Sequence, residues 1–184
     1  EMKERISKLT NDNQAKSIWM GTFHSVFARI LRSESEVIGF PPNFTIYDSY
    51  DSEKLISNII KEMNLNKDFY KAKGIKNRVS SLKNSFITPK NYFNQHELIE
   101  SDKLANRIQF GEIYRNYVDR CFKSAVMDFD DLLLKTNQLL NSSPETLIKY
   151  QKIFKYILVD EYQDTNYSQY LIIKSLADRY QNLC

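Results

Sequence analysis

The sequence predicts a mostly α-helical protein in which a helical middle is inserted between two pieces of α/β character. Apolar residues recur at helical spacing through most of the chain, and this periodicity favours amphipathic helices. The continuous apolar run Tyr156–Val159 is typical of a strand buried on both faces of a parallel sheet, and residues 16–20 form a second strand candidate. We therefore expect α/β segments at 1–32 and 126–184, with a helical subdomain at 33–125.

The first segment opens on residues 1–9, whose pattern predicts the end of a helix. Residues 16–20 (KSIWM) predict a short strand that stops at Gly21. Thr22 is suited to cap the next helix, because its hydroxyl can accept a hydrogen bond from an unpaired N–H of the first turn. The apolar residues of that helix follow helical spacing, at Phe23, Phe27, Ile30 and Leu31.

The middle segment is predicted to be almost entirely helical. A brief extended piece at 45–47 precedes a helix that begins at Asp48 or Ser49 and runs to Met63. A further helix is expected at 76–84, and a break near Thr88-Pro89. The longest helix is predicted at 102–122, from an apolar stripe of Leu104, Ile108, Ile113, Tyr114, Tyr117, Val118 and Phe122.

The last segment returns to α/β character. Residues 127–140 are expected to be helical, and Ser143-Pro144-Glu145 begins another helix with a cap, a first-turn proline and an acid near the positive end of the helix dipole. After the strand at 156–159, a helix through 170–176 leads to residues 182–184, which resemble the start of a second strand. Both ends look truncated, so we expect the chain to be a segment of a larger protein.

Composition narrows the classes of function. The 184 residues include four glycines, none close to another, and 42% hydrophobic residues with a mean hydropathy of −0.52. A phosphate-binding loop needs clustered glycines, so the chain carries neither a Walker A loop nor a Rossmann fingerprint. No apolar run approaches the roughly 20 residues of a membrane-spanning helix, so we expect no membrane partner. Cys121 and Cys184 lie far apart, which favours a reduced, cytoplasmic setting.

Positive charge is concentrated in the middle of the chain. Residues 61–123 hold 13 basic and 7 acidic residues, although the net charge of the whole chain is only +3. Most of the local excess lies between Lys67 and Lys90, and it includes Lys73, Lys76 and Lys83. Such a stretch is suited to contact with phosphates, and the alternative is a solvated helical face.

Asp160 and Glu161 follow the predicted strand 156–159 directly. In doubly wound sheets ligands bind outside the carboxyl ends of the strands, where an Asp can hold the water shell of Mg²⁺ and a Glu can reach a water molecule. The alternative is a solvated strand end that carries two acids.

The sequence from Val159 to Asn166, VDEYQDTN, resembles the Walker B segment of the UvrD/PcrA/Rep helicases of the first helicase superfamily. Three further segments are similar to that family in order and spacing: 1–5 to the tail of its motif Ia helix, 21–25 (GTFHS) to its TFHS segment, and 128–133 (DFDDLL) to the segment before Walker B. Residues 182–184 would lead into the next motif.

The resemblance implies a truncated RecA-like P-loop NTPase domain, subdomain 1A, with the helical subdomain 1B inserted in it. Asp160 would then hold Mg²⁺ through water, and Glu161 would orient or deprotonate the water that attacks the γ-phosphate. Gln163 would sense the γ-phosphate and couple it to DNA. ATP and Mg²⁺ would be used by the parent protein, and we expect neither to be bound to this segment alone, since Mg²⁺ usually needs substrate phosphates as ligands.

The resemblance also implies DNA contacts. Thr22, His24 and Ser25 would meet single-stranded DNA, against the simpler interpretation of a helix cap and a surface histidine. Phe129 could stack on a base, or it could cover the apolar face under Leu132 and Leu133. The basic stretch, including Lys73, Lys76 and Lys83, would touch duplex DNA ahead of the fork.

The function that follows is that of an ATP-dependent DNA helicase, translocating 3′ to 5′, whose activity this incomplete segment would not have alone. A helicase–nuclease subunit of the AddA/RecB kind shares the same motifs. A non-catalytic module for DNA binding or partner docking is the alternative from another class.

Overall fold

The computed structural model describes residues 2–9 and 17–184, and Glu1 and the predicted strand residue Lys16 lie outside these ranges. The described chain is mostly helical, as predicted. The helices are α1 Met2–Leu9, α2 Phe23–Ser33, α3 Ser35–Ile38, α4 Ser49–Glu62, α5 Ala72–Asn84, α6 Pro89–Phe93, α7 His96–Leu104, α8 Phe110–Lys123, α9 Phe129–Ser142, α10 Pro144–Ile153 and α11 Tyr167–Ala177. The strands are β1 Thr45–Tyr47 and β2 Val126–Asp128.

Several helices begin where a short polar side chain caps the first turn. The hydroxyl of Thr22 accepts a hydrogen bond from the N–H of Ser25, and that of Ser143 accepts one from the N–H of Thr146. Asp48 accepts from the N–H groups of both Tyr50 and Asp51. These contacts satisfy backbone donors that have no partner within the helix, so the predicted starting points are confirmed.

The predicted helix at 102–122 is wrong in its first turns. α7 ends at Leu104, and Asn106 takes a left-handed conformation with φ 57°. The N–H of Arg107 then donates to the carbonyl of Asp102, and the N–H of Asn106 donates to that of Lys103. This pattern is a Schellman motif, in which asparagine is tolerated because it enters the left-handed region more easily than most residues. Leu104 is consequently 86% exposed instead of lying on a buried stripe.

Among the described residues, parallel strand pairing occurs at two places. β1 pairs with β2 in parallel, with Thr45 opposite Val126 and Tyr47 opposite Asp128. Ile157 forms a parallel bridge with Leu183. The predicted strand at 156–159 is therefore reduced to a bridge, and Leu158 is 80% exposed because no second layer covers it among the described residues. The predicted strand at 16–20 is not formed by residues 17–20.

In the part of the chain that the structure describes, two clusters of buried apolar side chains form the core. One joins the described first and last parts of the chain through α2, α9, α10 and α11, and it also includes Phe40 and Phe44. The other lies within the middle segment and is built from α4, α5, α6 and α8. The subdomain boundaries at 32 and 125 remain a prediction. Within the described ranges, no helix combines the length and the apolar character needed to cross a membrane.

Candidate nucleotide and nucleic-acid site

The acidic loop, Asp160–Asp164, directly follows the parallel bridge at Ile157. The N–H of Val159 donates to the carbonyl of Cys184 at 2.8 Å, so the loop leaves from the carboxyl end of the paired segment. Asp160, Glu161 and Gln163 are all exposed to solvent. Ligands of parallel α/β sheets bind at this end of the strands, which makes the acidic loop the candidate nucleotide site.

The backbone of the acidic loop is tightly turned. Glu161 adopts φ 51° and ψ 45°, a left-handed conformation that is uncommon for residues other than glycine. The carboxylate of Asp160 accepts a hydrogen bond from the N–H of Glu161 at 3.1 Å, and a 3-10 turn follows at Tyr162–Asp164. Strained residues of this kind persist where the surrounding structure holds them, often at functional sites.

The side chains of Glu161 and Gln163 contact each other, with the amide of Gln163 donating to the Glu161 carboxylate. The loop thus presents three carboxylates, those of Asp160, Glu161 and Asp164, and one amide on an open surface. Oxygen ligands of this type suit Mg²⁺ when substrate phosphates complete the coordination, so the residues present fit a Mg²⁺–nucleotide. Among the described residues, no cluster of three or more His, Cys, Asp or Glu side chains could hold a metal without a nucleotide.

α11 begins immediately after the acidic loop, and a capping box fixes its first turn. The side chain of Asn166 accepts from the N–H of Gln169 at 2.9 Å, and the side chain of Gln169 accepts from the N–H of Asn166 at 3.0 Å. Both interactions satisfy donors of the first turn, so the end of the loop is tied to the helix. A displacement of the loop would therefore act on the start of α11.

The GTFHS segment forms the start of α2. In addition to the Thr22 cap, the hydroxyl of Ser25 donates to the carbonyl of Thr22 at 2.8 Å. A Cβ atom at Gly21 would collide with that hydroxyl, so a larger residue there would force the Ser25 side chain to rotate away from the Thr22 carbonyl. Thr22 and Ser25 are exposed, which leaves their remaining hydrogen-bonding capacity open to solvent.

His24 and Phe129 lie next to each other, although they are far apart in the sequence. Their ring centroids are 5.3 Å apart in an edge-to-face arrangement. Burial lowers the pKa of His24, and the charge of Asp130 offsets this only in part. Phe129 is 47% exposed at the start of α9, so one side of its ring is available to a ligand.

Lys76 joins this group through a narrow cleft at the carboxyl ends of β1 and β2. Phe129 and Lys76 both line the cleft, together with Tyr47, Asp48, Ser49, Ser52, Asp128 and Asp130. The ammonium group of Lys76 donates to the hydroxyl of Ser49 at 2.8 Å. Lys73, three residues earlier on α5, is exposed. The structure thus brings three predicted DNA-contact residues, His24, Phe129 and Lys76, to one region.

The expectation that Lys83 touches DNA is wrong for this structure, because its side chain is completely buried. Its ammonium group lies 2.7 Å from Asp128 and 2.8 Å from Asp131. Burial lowers the pKa of Lys83, but the carboxylates of Asp131 and Asp128 raise it more, so the pKa lies above its ordinary value. Tyr117 also donates to Asp128, at 2.7 Å. Lys83 is therefore a partner of the acids at the start of α9.

Two residues that the sequence did not single out lie between the acidic loop and the group around Phe129. Asn84, the last residue of α5, contacts Asp130 on α9 and Ser168 on α11. No local sequence pattern identifies Asn84 and Ser168, because their contacts join distant parts of the chain: Asn84 is 84 residues from Ser168 and 46 residues from Asp130. Asn84 therefore provides a polar connection between α9 and α11, two helices that also pack directly against each other through apolar side chains.

The chain belongs to the family described as the UvrD/REP helicase N-terminal domain, whose model matches residues 1–184. It is 40% identical over 184 residues to the ATP-dependent DNA helicase PcrA of Staphylococcus aureus. It is also 40% identical over 187 residues to the PcrA of Bacillus subtilis, and 38% identical over 183 residues to that of Leuconostoc citreum. Each alignment covers 100% of this chain and 24% of the relative, so the chain spans about a quarter of their length.

Proposed function

We propose that this chain is part of the motor of an ATP-dependent DNA helicase and supplies its Walker B carboxylates and part of its single-stranded DNA surface. The observation that carries the proposal is the acidic loop at the carboxyl end of the Ile157 bridge, in a chain similar throughout to PcrA helicases. The remaining motor parts, including the phosphate-binding loop, would come from the rest of the protein.

In this proposal Asp160, Glu161 and Gln163 of the acidic loop have different roles in ATP hydrolysis. Asp160 would hold Mg²⁺ through water, and the metal would neutralise charge that develops on the phosphates. Glu161 would accept a proton from the attacking water or orient it. Its hydrogen bond with Gln163 supports a role for Gln163 in sensing how that carboxylate is placed.

The DNA surface would be formed by Thr22, His24, Ser25 and Phe129. The Thr22 hydroxyl and N–H groups at the start of α2 can donate to phosphates, and the Ser25 hydroxyl can do so once it leaves the Thr22 carbonyl. An exposed aromatic ring can stack on any base. Lys73 and Lys76 on α5 would add electrostatic attraction to phosphates, which is sensitive to salt. We propose that translocation runs 3′ to 5′, as implied by the resemblance to UvrD, PcrA and Rep.

The test is ATP hydrolysis by the whole protein with and without single-stranded DNA, beside Glu161→Gln and the control Glu145→Gln. Glu145 lies in the first turn of α10, outside the acidic loop. We expect DNA to stimulate hydrolysis, Glu161→Gln to lower it by about 10²-fold or more while retaining ATP binding, and Glu145→Gln to behave as wild type. Near-normal turnover in Glu161→Gln would remove Glu161 from the catalytic role.

The direction of movement needs a separate measurement. Strand displacement on duplexes with a 3′ or a 5′ single-stranded tail should occur only with the 3′ tail. No hydrolysis in wild type under any condition would instead support a non-catalytic DNA-binding or docking module.

A further inference from the structure

The C-terminal turn of α5 is held between the first turns of two other helices. The side-chain amide of Asn84 donates to the carboxylate of Asp130 on α9 at 2.8 Å. The hydroxyl of Ser168 on α11 donates to the backbone carbonyl of Asn84 at 2.5 Å. One residue thus connects the helix that carries Phe129 with the helix that follows the acidic loop.

The contact with Ser168 is shielded from water. Ser168 is 1% exposed, and the carbonyl of Asn84 is one of the terminal carbonyls of a helix that have no partner within it. A buried hydrogen bond to such a group is costly to lose without replacement. The first turn of α11 is therefore held to the end of α5.

The side chain of Asn84 is not optimised for stability alone. Its Oδ1 atom is buried and has no hydrogen-bond partner among the residues that the structure describes. A buried acceptor without a partner costs free energy, and each such group in a native protein calls for an explanation. An apolar residue at this position would avoid that cost but could not contact Asp130.

The neighbouring residue, Lys83, joins the end of α5 to the start of α9. Lys83 is buried between Asp128 and Asp131, both in the first turn or cap of α9. A displacement of α11 that acts on Asn84 would therefore also act on the segment that presents Phe129. The negative charge of Asp130 also acts on His24, where it partly offsets the lowering of the pKa by burial.

We propose that Asn84 and Ser168 are positioning residues that couple the nucleotide state of the acidic loop to the DNA affinity of the Phe129–His24 surface. This inference rests on the proposed function. The route runs from the acidic loop through the Asn166 cap to Ser168, then through Asn84 to Asp130 and the two rings. Neither residue touches nucleotide or DNA in this proposal.

The experiment measures single-stranded DNA affinity of the whole protein by fluorescence anisotropy, with and without a non-hydrolysable ATP analogue. The ratio of the two Kd values reports the coupling between the sites, and by linkage it also describes the effect of DNA on nucleotide binding. We expect the ATP analogue to change the Kd for DNA in wild type. In Asn84→Ala and in Ser168→Ala this change should be smaller than in wild type by a factor of about three or more. The Kd ratio of the double variant should be no closer to one than that of either single variant, because the two contacts act in series.

Two control variants separate coupling from local stability. Asn116→Ala removes an amide that donates to the carbonyl of Glu112 at 2.9 Å, as Asn84 does to that of Ser80. Ser175→Ala removes a hydroxyl on α11 that donates to the carbonyl of Leu171 within the same helix. Both controls should keep the wild-type ratio, and basal ATP hydrolysis should be unchanged in all the variants.

A wild-type ratio in both Asn84→Ala and Ser168→Ala, or equal losses in the controls, would overturn the inference. If DNA stimulates wild-type hydrolysis while the variants retain the coupling, the inference fails and the proposed function stands. If wild type neither hydrolyses ATP nor binds DNA, both fail together.

Discussion

The Nζ atom of Lys83 lies 2.7 Å from the Oδ2 atom of Asp128, and both side chains are buried although 45 residues separate them. Asp131 contributes a second carboxylate at 2.8 Å, and Tyr117 a hydroxyl. This ionic cluster ties α5 to β2 and to the first turn of α9. It is thus a buried polar connection between the middle segment and the last segment of the chain.

Replacement of Lys83 by methionine should strongly destabilise the protein, because it leaves two buried carboxylates without their cation. Breaking a buried ion pair by removing one partner costs about 3–5 kcal/mol. Urea unfolding of the chain should show this loss for Lys83→Met. The control Lys73→Met, at an exposed position on the same helix, should change stability by no more than about 0.5 kcal/mol. Equal midpoints for the two variants would contradict the assigned role of Lys83.

Asp131 should make the stability of the chain depend on pH. Burial and the nearby charge of Asp128 raise the pKa of Asp131 to about 6, above the value of about 4 in an unfolded chain. The folded state therefore binds more protons in this window, so its free energy of unfolding falls as pH rises from about 4 to about 6. The pKa of Asp128 is lowered, because Lys83 outweighs the effect of burial, and its contribution has the opposite sign.

The measurement is the difference in free energy of unfolding between wild type and Asp131→Asn at several pH values from 4 to 7. Wild type should lose stability relative to the variant as pH rises through this window, and the difference should level off above about 6. A difference that stays constant with pH would show that Asp131 does not titrate there.

Two helical glycines should respond to alanine with opposite signs. A Cβ at Gly111 would lie 2.7 Å from a ring atom of Tyr92 and 2.8 Å from one of Phe93, so Gly111→Ala should cost about 1–3 kcal/mol through overpacking. A Cβ at Gly74 would have no described heavy atom within 4 Å, so Gly74→Ala should stabilise by about 0.5–1 kcal/mol. Thermal unfolding of both variants tests this difference in sign. A lower unfolding temperature for Gly74→Ala than for wild type would contradict the prediction.

Phe129→Ala should weaken binding of single-stranded DNA to the whole protein. Stacking of a base on an aromatic ring contributes about 1–3 kcal/mol, which corresponds to a loss of roughly 5- to 150-fold in affinity. Phe129→Tyr keeps the ring and should retain most of the affinity. Anisotropy titrations at a fixed salt concentration would test both. Unchanged binding by Phe129→Ala would favour the interpretation that Phe129 only covers the apolar face of α9.

Amide hydrogen exchange in this chain should differ sharply between its parts. The N–H of Ile157 is hydrogen-bonded to the carbonyl of Asn182, but Tyr156 and Leu158 beside it are exposed. Ile113, Tyr114 and Tyr117 of α8, by contrast, lie in a buried cluster. Exchange should therefore be much faster at 157–159 than in α8, because local opening requires less loss of buried surface. Equal protection would show that the bridge is as stable as the helical core.

The features that the sequence predicted well are those that depend on neighbouring residues only. Thr22, Asp48 and Ser143 were identified as starting points of helices because capping depends only on the next three residues. The break after Leu104 was missed because Leu104 and Ile108 continue the helical spacing of the apolar residues, and Asn106 gives only a weak signal of termination. The pairing of β1 with β2 joins segments that a local pattern cannot connect.

The candidate site was predicted only where its residues form a contiguous motif. Asp160, Glu161 and Gln163 lie together in one loop, whereas the contact of His24 with Phe129 depends on the packing of α2 against α9. Lys83 was grouped with its basic neighbours because a local charge count treats all lysines alike. Lys83 is buried because its face of α5 packs against α9. The sequence of α5 alone does not show which helix packs against that face.

The pairing of β1 with β2 has a consequence for the order of folding. Thr45 and Val126 are partners across the ladder, so the whole of α4 to α8 forms a loop closed by three residue pairs. Closing this loop in an unfolded chain costs conformational entropy, and three residue pairs stabilise the structure too little to offset that cost. If the helices between them have already collapsed onto their own apolar cluster, the ends are near each other before they pair. The strands should therefore form late, after the helices between them have packed against one another.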